Sequence, residues 1–226
     1  MQPHWVPARH QIFECRSGPS SADGVEVLID GHVNTKVLMA AIRWAARTEH
    51  IPKTARFILM NLPARCDLLE LKEIAECTER AGLSGRLCLV CSLEGVPYQH
   101  TMAELQQLGI RVALGGVGPQ CRLADLIERP LDGFVFDRDF VDATAGEPRA
   151  ACALDALVNL AKNLGIKTFA SRVTLAAAFD AASAAGIDYV TVSDDALFPS
   201  ARSHLPSPRR ADNLQGSFHK ADRNSR

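Results

Sequence analysis

Short apolar runs alternate along this chain with longer stretches in which apolar residues recur every three or four positions. RFILMNL (56–62) and LCLVC (87–91) show no polar alternation, the pattern of strands buried on both faces. Comparable runs at 10–15, 25–29, 112–114, 134–136, 168–170 and 189–192 bring the predicted strands to eight. Between them lie helical patterns. Val37, Leu38, Ala41, Ile42 and Ala45 form one helix face, with Asn34 placed to cap it. Helices are also predicted over 68–81, 100–108, 151–164 and 174–185, and Leu123, Leu126 and Ile127 mark a short amphipathic one. Four of these hand over to the next strand through glycine, at Gly82-Leu83, Gly109-Ile110, Gly165-Ile166 and Gly186-Ile187. Glycine is the residue that stops a helix in a left-handed cap. Gly115, Gly116 and Gly118 read as a turn after the 112–114 strand; its N–H groups could cradle a phosphate, but a lone glycine turn is usually only a turn. The repeated strand, helix and glycine rhythm predicts an α/β protein of TIM-type (β/α) barrel architecture rather than an open doubly wound sheet.

The 226 residues, 47% of them hydrophobic, suit one such barrel. A net charge of −1 gives no footprint for nucleic acid. No apolar run approaches the roughly 18–20 residues of a membrane helix, and no signal peptide is legible, so no membrane association and a cytoplasmic location are expected. Seven cysteines are scattered through apolar segments, which suits reduced core thiols. Cys88 and Cys91 form a C-x-x-C inside a predicted strand with no second pair at zinc spacing, so neither metal nor cofactor is assigned. From residue 201 the chain has six Lys or Arg against two Asp, a local charge of +4, and few aliphatic residues. The expected organisation is an N-terminal segment (1–9), a barrel (10–200) and a basic, disordered tail (201–226).

The stretch 108–141, with its LGIRVAL strand, its glycines and its closing D-R-x-F-V (Asp137, Arg138, Phe140, Val141), resembles the central part of the EAL domain, the family that hydrolyses cyclic di-GMP. GVEVLID, containing Glu26, Val27 and Leu28, is similar to the family's naming motif, and MNLPA keeps its strand-end Asn as Asn61. The resemblance implies a barrel in which carboxylates and that Asn hold two divalent cations and a Lys lies beside the attacking water. In this chain the two Glu of E-I-T-E fall on Val90 and Leu93, the paired Asp on Gly115 and Gly116, the Lys on Val135, and a further Glu on Ser171. The family's Q-G-Y falls on Thr191, Val192 and Ser193, and its phosphate-holding Arg on Asp30. Glu26, Asn61 and Asp137 remain as vestigial site positions. Some family residues are missing between Asp30 and Asn34, which predicts a barrel shortened in its N-terminal half and irregular or incompletely closed near its first strand.

Three functions follow. The first is a non-catalytic EAL-like regulatory domain that binds a protein partner in bacterial cyclic di-GMP or motility signalling, with a homodimer implied by the resemblance. The second is a cyclic di-GMP receptor without hydrolysis, in which Arg138 and Arg172 are candidate ligand contacts. The third is an unrelated barrel enzyme drawing on strand-end groups such as Ser92, Glu94, Asp194 and Asp195. No His or Lys reaches a predicted strand end, and no catalytic residue is assigned. Bland roles compete at each survivor: Glu26 and Asn61 as strand-end polar groups, Asp137 and Arg138 as a structural ion pair.

Overall fold

The computed structural model describes residues 8–15, 24–29, 33–49, 51, 53, 55–64, 66–92 and 99–192. Strands β1 (Ala8–Cys15), β2 (Gly24–Ile29), β3 (Phe57–Asn61), β4 (Leu87–Ser92), β5 (Arg111–Val117), β6 (Gly133–Phe136), β7 (Lys167–Val173) and β8 (Tyr189–Val192) form a barrel in chain order. The helices among the described residues are α1 (Thr35–Arg47), α2 (Leu68–Arg80), α3 (Gln99–Gln107), α4 (Leu123–Ile127), α5 (Arg138–Ala143), α6 (Pro148–Leu164) and α7 (Ala176–Ala185). Strands β2 to β8 run parallel, whereas β1 is antiparallel to both of its neighbours. Only residues 16–23 separate β1 from β2, fewer than a parallel crossover requires, so β1 doubles back. Across the seam Glu14 pairs with Val190 and Cys15 with Tyr189. The ring thus closes, and its irregular part is its first strand. Strand β1 begins inside the segment set apart as 1–9, and the tail at 201–226 lies outside the described residues.

Strand alternation sends side chains to two apolar layers. The outer layer, between strands and helices, includes Leu38, Ile42, Ile58, Ile74, Leu87, Leu89, Phe134 and Phe136. Burying each such side chain contributes about 1.5–3 kcal/mol. The lumen is filled by Phe57, Leu59, Cys88, Ala113, Val135, Phe169 and Tyr189, with Val90 packed against them. The Phe169 and Tyr189 rings stack at 5.0 Å, and Phe57 meets Phe169 edge-on at 5.6 Å. Arg111 closes the lower end, its guanidinium carbon 4.4 Å from the Phe57 ring centroid. Gly133 makes room for this stack, because a Cβ there would stand 2.9 Å from the Phe169 ring.

Local chemistry sets the helix ends. Asn34 caps α1 by accepting from the Val37 N–H at 3.0 Å, as the sequence predicts. Asp67 and Glu70 form a capping box at the start of α2. Gly165 and Gly186 end α6 and α7 in the left-handed conformation. Two expectations need correction. The glycines read as a turn belong to β5, which continues to Val117 through a bulge at Gly116, φ +73°. The Gly118 N–H is taken by Cys121 Sγ at 3.3 Å, so no open cradle of N–H groups is formed there. Residues 138–143 form a helix that hydrophobic periodicity alone does not reveal.

Candidate functional site at the barrel mouth

The C-terminal ends of the parallel strands bring together most of the positions singled out in the sequence. Glu26 on β2 has a deeply buried carboxyl. Its Oε2 accepts a 3.2 Å hydrogen bond from Thr191 Oγ1 on β8, and Thr191 Oγ1 in turn accepts from the Arg172 N–H at 2.8 Å. Arg172 adopts φ +57°, the one positive φ among the described non-glycine residues. That backbone conformation is strained for a side chain of this size and costs of order 1–3 kcal/mol. Burial pushes the Glu26 carboxyl above its ordinary range, and Ser171, Thr191 and the Arg172 charge offset this only in part. The residue as a whole keeps intermediate exposure, so the burial concerns its carboxyl end. Ser171 Oγ lies near enough to act on that carboxyl, yet it is buried without a hydrogen bond of good geometry.

Asn61 stands exposed at the end of β3, level with Val90 on β4. Asp137 serves the fold, because its side chain accepts from the Phe140 N–H at 3.0 Å and caps α5. Arg138 pairs with Asp139 at 3.3 Å, not with Asp137. Arg138 and Arg172 do converge, on an open cleft of about 400 Å³ that Asp137, Asp139 and Ser171 also line. Sequence reasoning missed Thr191 as a partner of Glu26, because the two are 165 residues apart and a neighbouring strand order had to be known to join them. Glu94, Asp194, Asp195, Asp30 and Leu93 lie outside the described residues.

At the remaining mouth positions apolar packing replaces polar groups. Val90 on β4 and Val135 on β6 flank Gly115 on β5, and a Cβ added at Gly115 would stand 2.8 Å from Val90 Cγ1. Real Cβ contacts are essentially never that short, so Val90 occupies the space a side chain at 115 would need. Cys88 and Cys91 point to opposite faces of β4, one into the lumen and one into the outer layer, and cannot share a metal ion. Burial raises both thiols, that of Cys91 to about 12.

The family model of the EAL domain matches residues 23–191. The chain is an EAL domain. It thus belongs to the cyclic di-GMP phosphodiesterase family. Solved EAL structures share its fold. The EAL domain of Mycobacterium smegmatis DcpA superposes with a TM-score of 0.72 at 18% identity, covering 85% of this chain and 90% of that one. The EAL domain of FimX from Xanthomonas citri, in complex with c-diGMP, gives 0.68 at 17% identity over 82% and 85%. That of FimX from Pseudomonas aeruginosa, bound to c-di-GMP, gives 0.65 at 15% identity over 82% and 87%. No curated protein sequence matches the chain significantly.

This EAL domain offers a thin set of donors for the two divalent cations its family holds. Hard cations take about six or more oxygen ligands each. Here the Glu26 carboxyl accepts from Thr191, Asp137 is engaged as a helix cap, and Asn61 brings no charge. The other family positions among the described residues are Val90, Gly115, Gly116 and Ser171. No group of three His, Cys, Asp or Glu side chains converges among the described residues. These residues do not fit a metal pair.

Proposed function

We propose that this EAL domain is a non-catalytic regulatory module that acts in cyclic di-GMP or motility signalling by binding another protein. The observation that carries this reading is the contact geometry at Gly115. The position that the resemblance gives to a metal-holding carboxylate is Gly115, and Val90 fills the space a side chain there would need, with Val135 adding to an apolar wall. Hydroxide near neutral pH requires a cation pair to lower the pKa of a bridging water. A wall of valines beside Gly115 disfavours both cations and charge at that side of the mouth. Without that chemistry, the helices and the mouth remain as recognition surfaces. The purified chain, incubated with cyclic di-GMP and Mg²⁺ or Mn²⁺, is expected to release no linear product, while affinity capture from the native cell recovers a specific protein. Turnover would refute the reading.

One observation favours a second reading, a receptor that binds cyclic di-GMP without cleaving it. Arg138 and Arg172 share the cleft at the mouth, where two guanidinium groups suit a phosphate. Both FimX EAL structures are described as bound to cyclic di-GMP. Calorimetric titration with cyclic di-GMP in Mg²⁺ and then in EDTA separates the readings. Saturable heat lost in an Arg138→Ala, Arg172→Ala double variant would establish the receptor. No heat at tens of micromolar ligand would leave the protein partner alone.

A further inference from the structure

Helix α2 packs more closely on α1 than on α3, and an open groove of about 400 Å³ is left between α2 and α3. Its two halves differ. Near the start of α2 the lining is apolar, with Leu71 and Ala75 buried and Leu68 47% exposed. Farther along, Glu76 and Glu79 of α2 and Glu104 of α3 line it, against Lys72 as the one cation among the described residues there. Glu76 lies 3.6 Å from Arg80, whereas no ion pair joins Glu79 or Glu104 to a cation among the described residues. Helix α2 follows the C-terminal end of β3, so the apolar half of the groove lies toward the mouth and the acidic half away from it.

We propose that residues 205–210 of this same chain, LPSPRR, occupy the groove, with Leu205 on its apolar half and Arg209 and Arg210 among the carboxylates of Glu76, Glu79 and Glu104. Of the segments outside the described residues, only 201–226 is strongly basic, with six Lys or Arg against two Asp; 1–7, 93–98 and 193–200 hold no Lys or Arg. The order along the chain matches the order along the groove. Strand β8 ends at the mouth, where α2 begins, so a chain returning from β8 enters at the apolar end and meets the carboxylates last. Leu205 precedes Arg209 and Arg210 in the same way. The lengths also agree. Pro206 and Pro208 favour polyproline II, whose rise of about 3.1 Å per residue puts Arg210 roughly 15 Å from Leu205. Helix α2 rises roughly 16 Å between Leu68 and Glu79. Strand β4, behind the groove, is four strands from β8 either way round the ring, so the short path runs over the mouth. For an eight-stranded barrel with its helices that path is of order 30 Å. The chain from Val192 to Leu205 reaches about 45 Å at most. Tethering gives the segment an effective concentration of order 1 mM, so exposed ion pairs too weak to hold a free peptide suffice here.

Trypsin digestion of the full chain tests this, because cleavage follows the population of the undocked form and the tail carries its own control sites. Relative to the bonds after Lys220 and Arg223, those after Arg209 and Arg210 are expected to be cut about tenfold more slowly in the full chain than in a free peptide of residues 201–226. Raised salt is expected to narrow the difference. Leu205→Asp, which leaves the barrel untouched, is expected to abolish the protection. Glu79→Gln with Glu104→Gln, which keeps the size and polarity of both side chains, is expected to weaken it about threefold. The same relative rates in chain and peptide, or protection unchanged in either variant, would overturn the proposal. Protection that fades on dilution would overturn it too, since the groove would then hold the tail of a second copy.

Discussion

The packing of Val90 against Gly115 is the residue-scale event on which the reading of the mouth depends. A methyl group at 115 would meet Val90 at 2.8 Å. Gly115→Ala is therefore expected to cost about 1–3 kcal/mol, as overpacking does. Combining it with Val90→Ala is expected to recover part of that cost, so that the double variant is less destabilised than the sum of the singles. Urea unfolding of the four forms measures this, and strict additivity would show that the two positions do not share one space. Glu26 gives a second test, through pH. Its folded-state pKa lies above the ordinary 4.5, so the folded state binds the proton more tightly than the unfolded chain does. Below 4.5 the group is protonated in both states and no penalty arises; as pH rises through the folded value, ionisation destabilises the fold. Glu26→Gln retains an acceptor for Thr191 and removes that penalty. The variant is expected to gain stability relative to the native chain as pH rises above 4.5, measured by thermal unfolding at each pH. A constant difference across that range would contradict the burial of this carboxyl.

At the scale of elements, Asp137 has a structural task. Its cap on α5 predicts that Asp137→Ala costs about 1 kcal/mol of stability, with Asp137→Asn or Asp137→Ser costing little. Chemical denaturation of the three variants decides this, and equal losses for all would point to a role other than capping. The same element shows why some of the fold is legible in the sequence and some is not. Strands such as 56–62 and 189–192 announce themselves because both faces are buried and the run is uninterrupted. Helices α1, α2, α3, α6 and α7 are legible from apolar spacing, and the last four also from the glycines near their ends. Helix α5 has too few residues to show a period, although Asp137 three residues before Phe140 is a cap signature. Strand β5 looks shorter in the sequence than it is because glycine normally punctuates, whereas here Gly115 yields space to Val90 and Gly116 forms a bulge.

For the whole molecule, the resemblance carried by LGIRVAL, D-R-x-F-V and MNLPA points to the barrel and the candidate positions, while their chemistry required the structure. Thr191 beside Glu26, Arg172 beside Arg138, and Val90 inside the space of a side chain at 115 all depend on neighbours brought together from separate strands. Family membership specifies a scaffold, and the site specifies the reaction. The most direct measurement is chromatography of cyclic di-GMP after prolonged incubation with the purified chain in Mg²⁺ and in Mn²⁺, beside an active EAL domain as control. Unchanged cyclic dinucleotide is expected in both metals, and linear product accumulating in proportion to this chain would contradict a non-catalytic role.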